Sequence, residues 1–305
     1  MESLTPAERY AAAKSKSRAK QKFPISSNFF ETFDFELDEF QIEGCHAIEA
    51  GKGVLVAAPT GAGKTIVGEF AAYLALEQKK KCFYTTPIKA LSNQKYQEFV
   101  ERFGDAQVGL LTGDNSINTE AQIVVMTTEV LRNMLYTGSN SLTNLGFVVM
   151  DEVHYLADKF RGAVWEEVLI HLMESVQVIS LSATVSNAEE FGEWLQVVRG
   201  DTEIIVSENR PVPLYQHVLI GHRLLDLFNE DGTINQALFR SEREAMRRVR
   251  GSRYRDHDES KLTRPEVIEK LNSVQMLPVI TFIFSRQGCD SAVKQCLAAN
   301  LRLTS

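Results

Sequence analysis

The sequence predicts an α/β fold with a doubly wound, mostly parallel β-sheet, and three observations lead to this prediction. Short apolar runs of four to six residues recur along the chain, as is typical of strands buried on both faces of a parallel sheet. Amphipathic segments of helical length separate these runs, and this alternation indicates strand–helix–strand units. The composition, with 44% hydrophobic and 24% charged residues, is that of a protein able to bury a sizeable core.

Seven predicted strands follow one another in the first two-thirds of the chain. They span residues 54–58, 82–86, 108–111, 123–127, 147–151, 178–182 and 203–207. Helices are predicted over residues 64–78 and 90–102, and a short one between the fourth strand and Tyr136. At about 150 residues per domain, a chain of 305 residues suggests two domains, and we expect the α/β domain to occupy residues 29–210.

The segments that flank this domain differ from it in composition. Residues 1–28 contain a basic tract and are predicted to be a mobile arm. Residues 211–277 are polar and are predicted to be a linker or insertion with some helix. The seven arginines between 240 and 255 fit a solvated helix face and a nucleic-acid contact equally well. The apolar run 279–284 predicts another buried strand with a helix after it, so residues 278–305 are expected to begin a second α/β domain.

Charge and cysteine content exclude several classes of protein. The net charge of −7 excludes histone-like binding through bulk positive charge, although a local groove could still hold nucleic acid. Four cysteines without a CxxC pair argue against a disulfide framework or a structural zinc site, and they favour a cytoplasmic location. No apolar run approaches the roughly 18 residues of a membrane span, and the first residues carry no secretory signal, so we expect no membrane partner.

The segment APTGAGKT, residues 58–65, lies between a predicted strand and a predicted helix, which is the context a phosphate-binding loop requires. Gly61 and Gly63 allow the backbone N–H groups to turn toward phosphates, and the helix start adds its positive dipole end. Lys64 is predicted to reach the β and γ phosphates of ATP, and Thr65 to ligate Mg²⁺. The strict GxxxxGK[ST] pattern has a glycine where this segment begins with alanine. The other predicted nucleotide-binding residues of the loop are Pro59, Thr60 and Ala62.

A second polar segment, DEVH at residues 151–154, directly follows the predicted strand that ends in FVVM. Because the carboxyl ends of parallel strands meet at one edge of a sheet, Asp151 should face the same crevice as Lys64. Asp151 is predicted to hold Mg²⁺ through water, and Glu152 to orient and deprotonate the attacking water. Adjacent carboxylates could instead cap the next helix, but their pairing with a phosphate loop favours catalysis.

Together these motifs resemble superfamily 2 helicases of the DExH class, and among them the superkiller-type RNA helicases, in particular bacterial members of actinobacterial type. Residues 33–207 are similar to the first RecA-like domain of that family in nearly every motif. FDFELDEFQ resembles the family's adenine-binding segment, which implies that Phe35 stacks on the base and Gln41 reads its edge. Without the resemblance, Phe35 would be interpreted as a core residue. The residues that the resemblance assigns to coupling between the ATP site and the strand-binding face are His154, Ser182 and Thr184.

Two further segments resemble the nucleic-acid motifs of these helicases. TTPIKALSNQK, residues 85–95, resembles motif Ia almost letter for letter, and TTEVLR, residues 127–132, resembles the next motif. Their polar residues fall at strand ends or helix starts, where hydroxyls and N–H groups can hold backbone phosphates. Hydroxyls at helix starts are also common N-caps, and for Thr128 both roles stay open. The predicted nucleic-acid residues are Thr86, Pro87, Lys89, Ser92, Thr127, Thr128 and Arg132.

The resemblance implies a P-loop, RecA-like ATPase domain of a helicase that uses ATP and Mg²⁺ and acts on single-stranded nucleic acid, preferably RNA. FIFSRQGCD resembles motif IV, which opens a second RecA-like domain, but the later arginine-finger motif does not follow. Such a finger contributes about 10³ to 10⁵ in rate, so these residues alone are expected to bind nucleotide, hydrolyse it poorly and stay monomeric. The alternatives are a DNA helicase or translocase and, for this chain alone, a non-catalytic nucleotide-binding module. The sequence does not indicate which RNA-degradation partners, if any, it binds.

Overall fold

The computed structural model describes residues 5, 20–159, 161–183, 188–251 and 262–301. The chain divides into two compact units, Met1–Val212 and Pro213–Ser305. Thr184, most of the predicted basic arm and the side chains of residues 245–261 lie outside the described residues. Among the described helices, none has the length and apolar character needed to cross a bilayer.

The first unit is built around a single eight-stranded sheet. Its strands are β1 (Gly53–Ala57), β2 (Lys81–Thr86), β3 (Val108–Leu111), β4 (Ser116–Ile117), β5 (Ile123–Thr127), β6 (Leu145–Met150), β7 (Gln177–Ser182) and β8 (Thr202–Val206). They are ordered β4-β3-β5-β2-β6-β7-β1-β8, and all neighbours run parallel except the short β4. The predicted fold class is therefore confirmed, and the ends of the seven strands predicted between residues 54 and 207 each lie within two residues of an observed strand end.

Helices cover both faces of this sheet. They are α1 (Pro24–Phe30), α2 (Glu39–Glu49), α3 (Thr65–Glu77), α4 (Lys89–Phe103), α5 (Thr128–Thr137), α6 (Gly162–His171) and α7 (Ala188–Arg199). Val54 and Val56 of β1 pack into one hydrophobic cluster with Phe70 of α3, whereas Leu55 between them packs into a second cluster with Trp165 of α6. Because most residues of the central strands meet one of these layers, those strands are largely apolar.

The strand order decides which loops meet at the carboxyl edge of the sheet. From one side to the other, the edge presents the ends of β5, β2, β6, β7 and β1. The loop after β1 and the turn after β6 thus lie on either side of the end of β7, where Ser182 is found. The ends of β2 and β5, which carry the predicted nucleic-acid segments, lie beyond β6. The predicted motifs that directly follow strands of the first unit therefore share one edge.

The described residues of the second unit form an antiparallel hairpin, β9 (His217–Ile220) with β10 (Arg223–Asp226), and three helices. The helices are α8 (Gln236–Gly251), α9 (Arg264–Ser273) and α10 (Arg286–Ala298). The prediction of a buried strand over 279–284 is wrong. This run forms no β-strand, and Phe282 and Phe284 are 82% and 105% exposed. A strand needs a neighbour for its N–H and C=O groups, and no described strand pairs with this run. The helix predicted after it is present as α10.

Candidate active site at the carboxyl edge of the sheet

The loop of residues 58–65, called here the phosphate loop, connects the end of β1 to the start of α3. Gly61 and Gly63 have φ angles of +86° and +82°, in the left-handed region that favours glycine. A Cβ atom added to Gly63 would also come within 2.6 Å of Nε2 of Gln41. The turn of this loop therefore depends on both glycines, and the close approach of Gln41 depends on the second.

Lys64 is held inside the phosphate loop. Its Nζ donates hydrogen bonds to the carbonyl oxygens of Ala58, at 2.6 Å, and Pro59, at 3.0 Å. The side chain is buried, and burial lowers the pKa of its ammonium group, whereas the nearby carboxylates of Glu152 and Asp151 act in the opposite direction. The loop thus concentrates a desolvated positive charge beside two carboxyl groups, which is an arrangement suited to a polyphosphate with its metal ion.

Gln41 connects α2 to the phosphate loop. Its Nε2 donates to the carbonyl oxygen of Gly63 at 3.0 Å and to that of Ala62 at 3.3 Å, while its Oε1 accepts from the backbone N–H of Asp38 at 2.9 Å. The amide is almost completely buried, with 4% of the residue exposed. Gln41 therefore supports the loop, and its predicted contact with adenine stays a prediction.

Phe35 is 55% exposed, which differs from the core position that the residue type alone would suggest. Its ring meets the edge of Phe33 at a centroid distance of 5.2 Å, and the guanidinium of Arg102 lies 4.5 Å from the centroid of the Phe33 ring. Arg102 is in turn paired with Glu69 of α3 at 3.2 Å. The Phe35 ring is thus held by its contact with Phe33, while its exposed part is available for stacking on a planar ligand.

Asp151 follows the last residue of β6 and is held on both of its carboxylate oxygens. Its Oδ2 accepts a hydrogen bond from the hydroxyl of Tyr84, and its Oδ1 accepts one from the backbone N–H of Glu152, each at 2.9 Å. Burial raises the pKa of Asp151, while the Tyr84 hydrogen bond and the charge of Lys95 act to lower it. The sequence offered no signal for Tyr84, because it lies inside an apolar strand where it reads as a core residue.

Glu152 occupies a strained backbone position with φ +53° and ψ +43°, in the left-handed region that disfavours a residue with a Cβ atom. Burial and the charge of Asp151 both raise the pKa of its carboxyl group. Its Oε2 lies 3.2 Å from Nδ1 of His154, yet neither atom has a hydrogen bond among the described residues. Strained residues and unsatisfied buried polar atoms of this kind cluster at functional sites.

The donors at this edge fit a magnesium ion. Thr65 provides a hydroxyl in the first turn of α3, and Asp151 provides a carboxylate at the end of β6. The described residues contain no group of three or more His, Cys, Asp or Glu side chains that could enclose a metal. Mg²⁺ commonly takes only one or two protein oxygens and completes its shell with water and substrate phosphates, so the two donors suffice.

The hydroxyls predicted to contact nucleic acid are buried and largely bonded within the protein. Thr86 Oγ1 lies 2.7 Å from Ser92 Oγ and donates to the carbonyl oxygen of Ile88 at 3.1 Å. Thr128 Oγ1 donates to the carbonyl oxygen of Thr86 at 3.3 Å. Thr127 and Pro87 are buried as well. These hydroxyls join the ends of β2 and β5 to the starts of α4 and α5.

Two predicted nucleic-acid residues carry charges near the surface. Lys89, at the start of α4, is exposed and pairs with Asp114 at 2.5 Å. Arg132 of α5 lies 3.6 Å from Glu167. Both pairs are at least partly open to solvent, and such pairs contribute little to stability, so either cation can exchange its partner for a phosphate at small cost.

Of the three residues assigned to coupling, two are described. Ser182 ends β7 between the two halves of the site, and its carbonyl oxygen accepts a hydrogen bond from the backbone N–H of Ala58 at 3.1 Å. His154 lies beside Glu152, with its Nδ1 3.2 Å from Oε2 of that residue. Thr184 lies outside the described residues.

Comparison with known proteins places this chain in a family. Residues 38–191 match the DEAD/DEAH box helicase family. The chain is 56% identical over 297 residues to a probable helicase HelY of Mycobacterium leprae, covering 92% of this chain and 32% of that protein. It is 42% identical to the DExH-box ATP-dependent RNA helicase DExH15, chloroplastic, of Arabidopsis thaliana, covering 86% of this chain and 26% of that protein. The antiviral helicase SKI2 of Saccharomyces cerevisiae is 35% identical, with shares of 85% and 25%.

Among solved structures, a hypothetical ATP-dependent RNA helicase from Sulfolobus tokodaii aligns with a TM-score of 0.49 and 23% identity, over 61% of this chain and 57% of that one. The chain spans about a third of the length of its mycobacterial relatives, at 32% of each.

Proposed function

The chain belongs to the DEAD/DEAH box helicase family, and from this premise we propose that it is the nucleotide-binding part of an ATP-dependent helicase that acts on single-stranded RNA. The observation that carries the proposal is the arrangement of the carboxyl edge. The phosphate loop, the turn at Asp151 and the ends of β2 and β5 lie side by side on one sheet. Nucleotide chemistry and strand binding would therefore share one rigid scaffold.

The proposed nucleotide chemistry assigns a role to each charged group. The Lys64 ammonium would neutralise charge on the β and γ phosphates, and Thr65 with Asp151 would hold Mg²⁺, which withdraws charge from the same phosphates. Glu152 would accept a proton from the attacking water. Since burial and Asp151 raise the pKa of Glu152, its carboxylate is a stronger base than an ordinary glutamate, as general base catalysis requires.

The proposed preference for RNA is supported by the similarity of the motifs to those of superkiller-type RNA helicases and by the chain's similarity to a plant protein described as an ATP-dependent RNA helicase. Contacts through backbone N–H groups, Lys89 and Arg132 would read phosphates and not bases, so binding should be independent of sequence and sensitive to salt. A reducing, cytoplasmic location is part of the proposal, since none of the four cysteines forms a disulfide.

We further propose that these 305 residues bind nucleotide as a monomer but turn it over slowly. The groups proposed to hold ATP all lie in the first unit, whereas the charge that would stabilise the transition state is not among the motifs of this chain. An arginine finger contributes about 10³ to 10⁵ in rate in related phosphoryl-transfer enzymes.

The test is steady-state phosphate release by the full-length parent protein, with single-stranded RNA and with DNA of the same sequence and length. We expect stronger stimulation by RNA; equal or stronger stimulation by DNA would favour a DNA helicase or translocase. The 305-residue chain is assayed in parallel and should bind Mg²⁺–ATP with turnover near background. Strong RNA-stimulated turnover by the chain would contradict the second proposal, and the arginines at 240–255 would then be the first to replace.

A further inference from the structure

The Tyr84 side chain contacts three parts of the candidate site from inside the core. It lies within β2 and is completely buried, with its hydroxyl donating to Oδ2 of Asp151 at 2.9 Å. The ring packs so closely on α3 that a Cβ atom added to Gly68 would lie 3.0 Å from its Cε2. Phe99 of α4 meets the ring edge-on at a centroid distance of 5.0 Å. Tyr84 is therefore fixed by the helix that starts at the phosphate loop and by the helix that starts at motif Ia.

The hydroxyl of Tyr84 constrains how the Asp151 carboxylate can turn. One oxygen is held by this hydroxyl and the other by the backbone N–H of Glu152, so rotation about the Cβ–Cγ bond would break both hydrogen bonds. An apolar strand position ordinarily has no use for a hydroxyl, because a buried polar group costs free energy unless it is paired. Phenylalanine would fill the same space without that cost. The hydroxyl is thus explained by its partner, not by the packing of the strand.

Lys95 of α4 also packs against the Tyr84 ring. Its ammonium group is largely buried, lies 5.7 Å from the centroid of the Tyr84 ring, and pairs with Glu98. Lys95 belongs to the segment that resembles motif Ia, yet it faces the core and not the surface. Residues of α4, Phe99 and Lys95, therefore enclose part of the Tyr84 ring.

We propose that Tyr84 is a positioning residue that fixes the Asp151 carboxylate in the orientation needed to hold Mg²⁺ at the phosphate loop. This inference rests on the proposed function, in which Asp151 holds the ion. It adds that the metal site depends on a hydroxyl from β2, the strand that leads directly into the proposed nucleic-acid segment. Partners that orient metal ligands are known to matter for metal affinity by about tenfold to a hundredfold.

The experiment compares Tyr84→Phe with wild type by titrating a fluorescent ATP analogue into the 305-residue chain at a series of Mg²⁺ concentrations. The Mg²⁺ concentration that gives half of the full effect on nucleotide affinity is the readout. We expect Tyr84→Phe to raise it about tenfold, while nucleotide affinity in EDTA stays at the wild-type value. Tyr96→Phe is the matched control, since it removes a hydroxyl from a partly buried tyrosine of α4 that packs against the same hydrophobic cluster.

The outcomes separate this inference from the function on which it rests. An unchanged Mg²⁺ half-point in Tyr84→Phe, with a raised one in Asp151→Asn, would overturn the role of Tyr84 and leave the proposed function standing. Loss of nucleotide binding by Tyr84→Phe in EDTA would also overturn it, because the hydroxyl would then serve the fold and not the metal. No nucleotide binding by wild type, or no change in Lys64→Ala, would instead overturn the proposed function itself.

Discussion

Two regions of the same sheet edge differ in their buried polar atoms: the first leaves some of them without a hydrogen bond, and the second pairs its hydroxyls. In the nucleotide region, formed by the phosphate loop and residues 151–154, Glu152 Oε2 and His154 Nδ1 have no hydrogen bond among the described residues, and Glu152 is strained. In the hydroxyl region, formed by the ends of β2 and β5 with the starts of α4 and α5, Thr86, Ser92 and Thr128 are bonded to one another or to the backbone.

This difference indicates which side chains are free to act on a ligand. An unpaired polar group can bind a substrate without first breaking an internal hydrogen bond. Natural proteins tolerate such groups, and strained residues, mainly at functional sites. Satisfied hydroxyls stabilise the scaffold and would have to break internal hydrogen bonds before binding a phosphate. We therefore expect the hydroxyl region to bind nucleic acid through backbone N–H groups at the helix starts and through Lys89, with its hydroxyls as support.

The largest effect should come from Glu152→Gln, which tests whether the strained residue performs chemistry. The substitution keeps the size of the side chain and removes the base, so turnover by the full-length protein should fall by about 10²- to 10⁴-fold while ATP binding persists. Phosphate release measures the first quantity, and calorimetry with a non-hydrolysable analogue measures the second. Equal turnover in both proteins would remove Glu152 from the mechanism.

Lys64→Ala should have the next largest effect, this time on binding. Removing a charge-assisted contact to phosphate is expected to weaken ATP affinity by roughly tenfold to a hundredfold, measured by calorimetry on the 305-residue chain. Lys52→Ala is the matched control. Lys52 directly precedes β1, at the end of that strand opposite to the phosphate loop, and pairs with Glu203. If the two variants bind ATP equally well and remain folded, the phosphate loop is wrongly assigned.

Ser92→Ala tests whether the Ser92 hydroxyl stabilises the fold or contacts nucleic acid directly. Because the Ser92 hydroxyl is buried and lies 2.7 Å from that of Thr86, its loss should lower the free energy of unfolding by about 1 to 2 kcal/mol. Affinity for single-stranded RNA should stay within about twofold of wild type, since a fully satisfied internal hydrogen bond contributes nothing directly to binding. Urea denaturation and fluorescence anisotropy give the two values. A large loss of RNA affinity without a loss of stability would show that the hydroxyl contacts phosphate directly.

Lys89→Ala should weaken RNA binding, whereas Ser92→Ala should weaken the fold, and the effect of Lys89→Ala should be the smaller of the two. The exposed lysine can leave Asp114 for a phosphate, so its removal should weaken RNA binding modestly at every sequence tested. The slope of log affinity against log salt should become shallower by about 0.7, the contribution of one phosphate contact on a single strand. An unchanged slope would place the strand away from the start of α4.

The smallest expected effect concerns stability and pH. Burial and Asp151 raise the pKa of Glu152 in the folded state, so the fold favours the protonated carboxyl, and stability should decline as pH rises from the ordinary glutamate value through the raised one. Glu152→Gln removes this titration and should therefore be more stable than wild type near neutral pH, with the difference shrinking in acid. Thermal melts of both proteins between pH 4 and pH 8 would test this, and a difference independent of pH would contradict it.

The sequence alone determined the sheet and the location of its polar edge. Strands buried on both faces are mostly apolar, so runs such as 147–151 could be identified without any knowledge of their neighbours. Motifs that directly follow such strands must lie at one edge, because parallel strands end on the same side. Local pattern was therefore enough for β1, β2 and β6 and for the context of Lys64 and Asp151.

Only the tertiary structure decided which polar atoms are satisfied. Tyr84 and Asp151 are 67 residues apart, and Thr128 is 42 residues from the carbonyl oxygen that it contacts, so neither bond leaves a local pattern. The same reason explains the wrong prediction at 279–284, where an apolar run resembled a buried strand but has no described neighbour to pair with. Hydrophobic pattern reports the environment that a residue prefers, whereas hydrogen bonds and strand pairing depend on groups that folding brings from elsewhere in the chain.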